Sequence, residues 1–228
     1  MPGSSQLHAS YHTNLNPSSD RAPRFESATL NKPRPAKSTP KQSGSQTLRI
    51  IGGQWRGRKL PFVSADGLRP TGDRIRETLF NWLMPDLPGA NCLDVFSGSG
   101  ALALEALSRG AKSATLLELN PQAAAQIRHN LSLLQCPQAQ LVQTDSLSWL
   151  QRPTPPSATF DIVFVDPPFQ HDFWQATITA LEDHQWLSDG AAIYIETPKH
   201  LPLNIPANWH LHREKHAGDV SFRLFYRE

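Results

Sequence analysis

The chemistry in this chain gathers in four short segments, each lying at the end of an apolar run. The sharpest is Asp166-Pro167-Pro168-Phe169, directly after Ile162 to Val165. Two consecutive prolines remove two backbone donors and stiffen the chain, so carbonyls there point outward without partners. An aspartate side chain beside a proline carbonyl forms a two-acceptor fork, which suits an exocyclic NH2 group with its two donors. Phe169 adds a ring on which a planar base stacks, worth ~1–3 kcal/mol per base. The amine of a nucleobase is a poor nucleophile because its lone pair is delocalised into the ring. Two accepted hydrogen bonds raise electron density on that nitrogen and aim it at a methyl sulfonium. Positioning then supplies most of the catalysis, by in-line displacement. Asp166 takes the released proton afterwards, and no base is needed before attack. The competing reading is a Pro-Pro turn that merely ends a strand.

The second segment is Ser97-Gly98-Ser99-Gly100, between an apolar strand and a helix. Its glycines let the backbone turn sharply and approach a ligand with no Cβ in the way. Glu118 follows Gly98 by 20 residues, at the end of the next strand, where an acid accepts from ribose hydroxyls. Asp145, in Thr144-Asp145-Ser146, ends a third strand at the same crevice. Together these make a nucleoside-type site. Ala103 completes a G-x-G-x-x-A pattern, so a nicotinamide dinucleotide competes, as does a tight turn with no ligand. Asp94 sits inside the apolar strand, where an acid must be hydrogen-bonded to be tolerated. It holds the glycine loop or meets an amino-acid ammonium such as that of S-adenosylmethionine, which a dinucleotide lacks. This favours methyl transfer.

Alternating strands and helices position these groups. Strands are predicted at 92–96, 114–118, 140–144, 161–166 and 191–196. Helices are predicted from Ala101 to Arg109, ended by Gly110, from Pro121 after an Asn120 cap to about Gln135, and from Phe173 to Leu187. An earlier helix carries Ile75, Leu79, Trp82 and Leu83 on one face and stops at Pro85. Leu211 to Glu228 alternates around Ala217-Gly218-Asp219 and reads as an antiparallel hairpin. The expected fold class is α/β, a doubly wound, mainly parallel sheet with ligands at the carboxyl ends of its strands.

Charge is uneven along the 228 residues. The first 60 carry ten Lys and Arg against two acids, a charge of +8, and the remainder carries −6. A basic head on an acidic body suits a polyanionic partner. Residues 1–46, rich in Ser and Pro, read as a disordered leader with neither a secretory apolar segment nor an amphipathic transit helix. Residues 47–67 read as a basic β extension of two strands around a glycine turn, and residues 68–228 as the catalytic domain. Within the extension Arg49, Arg56, Arg58 and Lys59, interleaved with Trp55, look like a phosphate-tracking surface beside the active site, the alternative being a strand edge protected by charge. Arg74 and Arg76 carry no assignment, since helices expose such residues routinely. Cys92 reads as a buried thiol; Cys136 ends a helix-like stretch, and two cysteines suit a reducing cytosol. No apolar run approaches the ~20 residues that span a bilayer. His210, His212 and His216 lack a completing ligand at known spacing, so no metal is expected. His171 is a candidate for the target pocket.

Asp166-Pro-Pro-Phe169 resembles the (Asp/Asn/Ser)-Pro-Pro-(Tyr/Phe) signature of amino-methyltransferases acting on adenine N6, cytosine N4 or guanine N2. Arg49-Ile-Ile-Gly-Gly-Gln-Trp-Arg-Gly-Arg-Lys-Leu60, Leu68-Arg-Pro-Thr71 with Asp73-Arg74, Arg76-Glu-Thr-Leu-Phe-Asn81 and Phe96-Ser-Gly-Ser-Gly-Ala101 resemble the bacterial RsmD family from about Leu48 onward. Its members are guanine-N2 methyltransferases of small-subunit (16S) ribosomal RNA. The resemblance implies a class I, Rossmann-like methyltransferase of seven strands with S-adenosylmethionine as cofactor. It implies contacts from Asp94, Phe96, Gly98, Ser99 and Gly100 to the methionine part, from Glu118 to the ribose, and from Asp145 and Ser146 to the adenine. Asp166, Pro167, Pro168 and Phe169 would hold the guanine, and Arg69 and Thr71 would close over the methionine end. The implied partner is ribosomal RNA in an assembled or late-assembly 30S particle, met by a cytoplasmic monomer. Rival readings are a DNA adenine-N6 methyltransferase, a nicotinamide-dependent oxidoreductase and a noncatalytic RNA-binding protein.

Overall fold

A computed structural model of the chain describes residues 46–63, 72–154 and 158–228. The leader read at 1–46, apart from Gln46, and both Arg69 and Thr71 lie outside the described residues. All described residues belong to one unit, Lys41–Glu228.

The chain begins with a two-stranded antiparallel ribbon, β1 (Gln46–Arg49) and β2 (Lys59–Phe62), in which Leu48 faces Leu60. Helix α1 (Asp73–Trp82) follows. Then come β3 (Asn91–Asp94), α2 (Ala101–Ser108), β4 (Ser113–Glu118), α3 (Pro121–Leu134), β5 (Ala139–Gln143), α4 (Ser146–Leu150), β6 (Phe160–Val165), α5 (Trp174–Asp183), β7 (Leu187–Pro198), β8 (Trp209–Ala217) and β9 (Val220–Arg227). Seven strands form one sheet in the order β5-β4-β3-β6-β7-β9-β8. The first five in that order run parallel, whereas β9 is antiparallel to β7 and β8 is antiparallel to β9. This is the Rossmann-like arrangement expected from the alternation, with the terminal hairpin at one edge.

The central strands are buried on both faces, so their sequences are near-continuous apolar runs rather than alternating ones. Cys92, Leu116, Ile162, Phe164 and Tyr194 point to the face covered by α1, α2, α3 and the ribbon. Leu93, Leu117, Val163, Val165 and Ile193 point to the other face, against Leu150 and the α5 residues Trp174, Ile178 and Leu181. Both cysteines are buried free thiols. Burial, helped by the Asp161 and Asp94 carboxylates, pushes the Cys92 thiol up to about 12. Helix α3 starts where the sequence dictates: the Asn120 side chain accepts from the Gln122 and Ala123 N–H groups, and Pro121 follows. No helix among the described residues is long and apolar enough to cross a membrane.

Three expectations are corrected. Helix α5 ends at Asp183 rather than Leu187, because Gln185 turns into the left-handed region (φ 56°) and Leu187 already pairs with Phe160. A short helix, α4, fills a stretch that carried no predicted element. Arg74 is exposed, but Arg76 is fully buried on the inner face of α1.

The buried Arg76 is part of what docks the extension. Its guanidinium donates to the Arg49 carbonyl (2.9 Å) and Asp73 (2.6 Å), and lies 3.5 Å from Glu105. Glu105, also fully buried, accepts from Ile51 N (2.8 Å), Gly52 N (2.7 Å) and Arg109 Nε (2.7 Å). One helix-borne carboxylate therefore satisfies two donors of the turn between β1 and β2.

Candidate active site

The parallel strands end together at one edge of the sheet, and the chain leaves each through one of the four segments. In the order β5-β4-β3-β6, adjacent carboxyl ends present Asp145 with Ser146, Glu118, the 95–100 loop and Asp166 to Phe169. Segments up to 70 residues apart in sequence thus become neighbours, since a parallel sheet spaces its strands by ~4.8 Å.

The glycine loop holds two left-handed residues, Gly98 (φ 53°) and Gly100 (φ 76°). A Cβ at Gly100 would meet only ordinary van der Waals contacts at 3.5 Å, so conformation rather than space demands glycine there. The loop is held from three sides. Ser97 N donates to the Leu117 carbonyl (3.0 Å), and Gly98 N donates to Glu118 Oε2 (2.7 Å). Asp94 Oδ2 accepts from Ala103 N (3.3 Å), an otherwise orphan donor in the first turn of α2. Glu118 Oε1 also accepts from Asn120 N at 2.6 Å, so the acid spans the turns after β3 and β4.

Both acids are shifted toward their neutral forms. Asp94, 3% exposed, is pushed up to about 7 by burial, against the Ala103 N–H, and further by the nearby Glu118 charge. Glu118 is raised by burial, with its hydrogen bonds from Asn120, Gly98 and Leu119 opposing. A crevice that penalises these negative charges favours a bound cation or hydroxyl donors.

Asp145 is exposed and caps α4, accepting from Ser148 N at 2.8 Å. Ser146 is buried, and its hydroxyl donates to the Val95 carbonyl, tying the end of β5 to the strand that carries the glycine loop.

At the end of β6, Asp166 is partly buried, Pro167 buried and Phe169 43% exposed. His171 N donates to the Pro168 carbonyl at 3.1 Å, closing the turn that follows the two prolines. The loop that follows is aromatic. Phe169 lies 5.7 Å from Trp174, and Phe173 stacks on Phe96 (5.9 Å, 4°) and on His171 (5.0 Å, 24°). Phe173 thus joins the glycine loop to the Asp-Pro-Pro-Phe loop. Sequence reading passed over it, although the density of rings from Phe169 to Trp174 was a signal. It also passed over Tyr194 and Glu196 on β7, which lie beside this loop; the Tyr194 hydroxyl donates to Glu196 Oε2 at 2.9 Å.

The described turn of the extension meets the end of α2 opposite the glycine loop. Gln54 N donates to the Ser108 carbonyl (2.7 Å), and Trp55 N to Ser108 Oγ (3.0 Å), at the last turn of α2. The glycine loop opens the first turn of that helix, roughly 12 Å away along eight residues of 1.5 Å rise. Arg49, Arg56 and Lys59 are exposed, Trp55 is half-buried, and Arg58 donates to the Leu133 carbonyl (3.0 Å) near the end of α3. At the site's own end, Lys199 and His200 are exposed, as are Lys215 and His216 near the end of β8, level with Glu196 and Thr197 of β7 across β9. Among the described residues no group of three His, Cys, Asp or Glu side chains could hold a metal ion.

Comparison with known proteins places this geometry in a family. The chain is 53% identical over 191 residues to Ribosomal RNA small subunit methyltransferase D of Escherichia coli strain K12, covering 83% of this chain and 94% of that one. It is 49% identical to the Haemophilus influenzae protein of the same name, over 82% and 96% of the two chains. The solved structure of Escherichia coli yhhF superposes with a TM-score of 0.73 at 53% identity, covering 80% of this chain and 99% of that one. The family described as Conserved hypothetical protein 95 matches residues 48–226, and with these relatives it shows that the chain belongs to the RsmD family.

Proposed function

We propose that the chain transfers a methyl group from S-adenosylmethionine to the exocyclic N2 of one guanine in small-subunit (16S) ribosomal RNA. The observation that carries this reading is the convergence of Asp145–Ser146, Glu118, the glycine loop and Asp166–Phe169 at four adjacent strand ends of one sheet. The names of the relatives, which specify ribosomal RNA of the small subunit, point the same way.

The residues fit the cofactor by their donor chemistry. Two glycines at positive φ let the loop turn sharply at the end of β3 and set its backbone toward a ligand. The buried Asp94 carboxyl suits an ammonium. Glu118 takes one backbone donor on each oxygen, and a carboxylate offers about four acceptor positions, so ribose hydroxyls fit as well. Asp145 and Ser146 border the space where an adenine would lie. Bound S-adenosylmethionine supplies an electrophilic methyl group on a sulfonium, which leaves as a neutral thioether.

The chain's own residues do the rest. Asp166 and the Pro167 carbonyl each accept one N–H of the guanine amine, which turns its lone pair toward the cofactor. Phe169, exposed and braced by Trp174, stacks on the base and fixes its plane. As the N–C bond forms, the nitrogen gains positive charge; Asp166 stabilises it and then holds the proton that leaves. Positioning of this kind is worth several orders of magnitude in rate. The exposed basic residues at this end of the sheet, Lys199 and Lys215, suit RNA phosphates near the site. The substrate is an assembled or nearly assembled subunit, acted on by a monomer in the cytoplasm.

The test is to incubate small subunits lacking the modification with the protein and labelled S-adenosylmethionine, then to digest the RNA and identify the nucleoside by mass spectrometry. N2-methylguanosine is expected, and it should vanish with Asp166→Ala while cofactor binding persists. Cofactor binding without transfer to any subunit would overturn the substrate. N6-methyladenine on DNA would favour the rival methyltransferase.

A further inference from the structure

A second carboxylate stands beside the first at the catalytic edge, and the reaction as derived does not use it. Strands β6 and β7 are parallel, and their last paired residues are Val165 and Ile195. The next residue on each is acidic: Asp166 and Glu196. Side chains alternate along a strand, so Glu196 shares a face with Tyr194, and the Asp166 carboxylate, one residue past the end of β6, is near enough for its charge to act on the Tyr194 hydroxyl. Phe164 and Tyr194 belong to the same side of the sheet, with rings 6.4 Å apart. The two carboxylates therefore leave adjacent strands one residue past the last pair, both within reach of the Tyr194 hydroxyl, at the level where the target base would enter.

Glu196 is not an incidental surface acid. It is 6% exposed, its Oε2 accepts from the fully buried Tyr194 hydroxyl at 2.9 Å, and its backbone carbonyl accepts from Trp174 Nε1 at 2.6 Å. The side chain is thus aimed from one side and its backbone anchored from the other, through the ring that braces Phe169. Burial raises the Tyr194 hydroxyl well above its ordinary value, and the Glu196 and Asp166 charges raise it further. The phenol therefore stays a donor, and both carboxylates lie close enough to act on it.

We infer that Glu196 reads the Watson–Crick edge of the target base and selects guanine. The inference rests on the methyl-transfer reading above. Guanine presents N1–H and the N2 amine side by side, a row of donors, whereas adenine presents an N1 lone pair next to its amine and cytosine an N3 lone pair. A carboxylate beside the amine fork accepts N1–H of guanine. It repels the ring lone pair of the other two, so the contact that is attractive with guanine becomes repulsive with adenine or cytosine. The fork alone does not discriminate, because every exocyclic amine offers it the same two donors. Glu196 is a specificity residue, touching the ring rather than the reacting amine.

The experiment uses small subunits reconstituted around RNA ligated with either guanosine or 2-aminopurine riboside at the target position. 2-Aminopurine keeps the 2-amine but carries a lone pair at N1. The full-length protein should methylate guanosine with much the higher kcat/KM. Glu196→Gln, whose amide can donate to that lone pair, should reduce the guanosine to 2-aminopurine ratio at least tenfold. Tyr194→Phe leaves the carboxylate but frees its orientation, and should narrow the ratio several-fold. It decides the matter if the Gln variant does not fold. A merely structural role would lower both rates together and leave the ratio fixed, and an unchanged ratio in the folded variants overturns the inference. Failure of the unaltered protein on guanosine subunits would instead overturn the methyl-transfer reading, and the base-reading role with it.

Discussion

Gly98 N donates to Glu118 Oε2 at 2.7 Å, so the acid that ends β4 is also the post on which the glycine loop of β3 hangs. Its other oxygen accepts from Asn120 N at 2.6 Å. One side chain thereby fixes the shape of the loop and, in the reading proposed here, offers its remaining acceptor positions to a ribose. In that reading, loop geometry and cofactor recognition cannot be separated at this residue.

Glu118→Gln should reveal that coupling. The amide keeps one acceptor oxygen, but its NH2 must face either the Gly98 or the Asn120 donor, so one backbone N–H is left opposed. We expect a stability loss of about 1–3 kcal/mol, the usual cost of an unsatisfied buried donor. Affinity for S-adenosylmethionine should fall at least tenfold by calorimetry. A variant with unaltered affinity would show that the loop keeps its shape without the acid.

Asp94 makes stability depend on pH. In the unfolded chain it ionises near 3.8, and in the folded chain only near 7. Between those values the folded state holds a proton that the unfolded state has released, so stability falls as pH rises from about 4 to about 7. Above pH 7 the penalty is complete and on the order of 4 kcal/mol. Asp94→Asn keeps an acceptor for Ala103 N and removes the charge. Its melting temperature should therefore lose much of this slope, and at pH 8 the ligand-free variant should be the more stable protein. The same change removes the carboxylate that suits an ammonium, so S-adenosylmethionine should bind it more weakly. Parallel pH profiles of the two proteins would contradict the assignment.

Phe169→Ala should separate binding from folding. The ring is 43% exposed, and among the described residues its ring partner is Trp174, so truncation costs little stability. Lost stacking of ~1–3 kcal/mol corresponds to a decrease in kcat/KM of roughly fivefold to somewhat over a hundredfold. Steady-state rates on small subunits, with thermal melts alongside, would measure both. A large melting shift with normal kinetics would make Phe169 a packing residue.

Arg76 shows where sequence reading stops. Its spacing on α1 is compatible with an exposed face, and nothing nearby announces that Glu105, on the next helix, would be its buried counterpart at 3.5 Å. The apolar runs of β3 to β6 and the capping Asn120-Pro121 were legible because their signals are local. So were the four chemical segments, each placed by the strand before it. The α4 helix was not, since its five residues lack a full period and its cap, Asp145, read as a ligand-binding acid. Glu196 was missed for a related reason. Its meaning comes from the register of β6 against β7, which one strand alone does not encode. The location of the basic extension followed the same rule: composition identified its charge, but only the contacts with Ser108 revealed which end of α2 it meets.

Those contacts make a sharp prediction at two glycines of the same turn. Gly53 adopts φ +74°, and a Cβ there would lie 1.7 Å from the Ser108 carbonyl oxygen, a backbone atom that cannot move aside. Gly57 adopts φ +83°, but its Cβ would meet nothing within 4 Å. Gly57→Ala therefore costs only the left-handed conformation, about 1–2 kcal/mol. Gly53→Ala bears that cost and must also lift the turn off α2. Lifting breaks the hydrogen bonds from Gln54 and Trp55 to Ser108 and threatens those from Ile51 and Gly52 to Glu105. A buried Glu105 that loses those donors is then left facing Arg76 and Arg109 alone. Gly53→Ala should be the more destabilised by at least about 2 kcal/mol in urea unfolding, at roughly a net 1 kcal/mol for each hydrogen bond lost. Equal losses at the two positions would mean that the turn is not seated on α2, and that the strain of positive φ is all either glycine relieves.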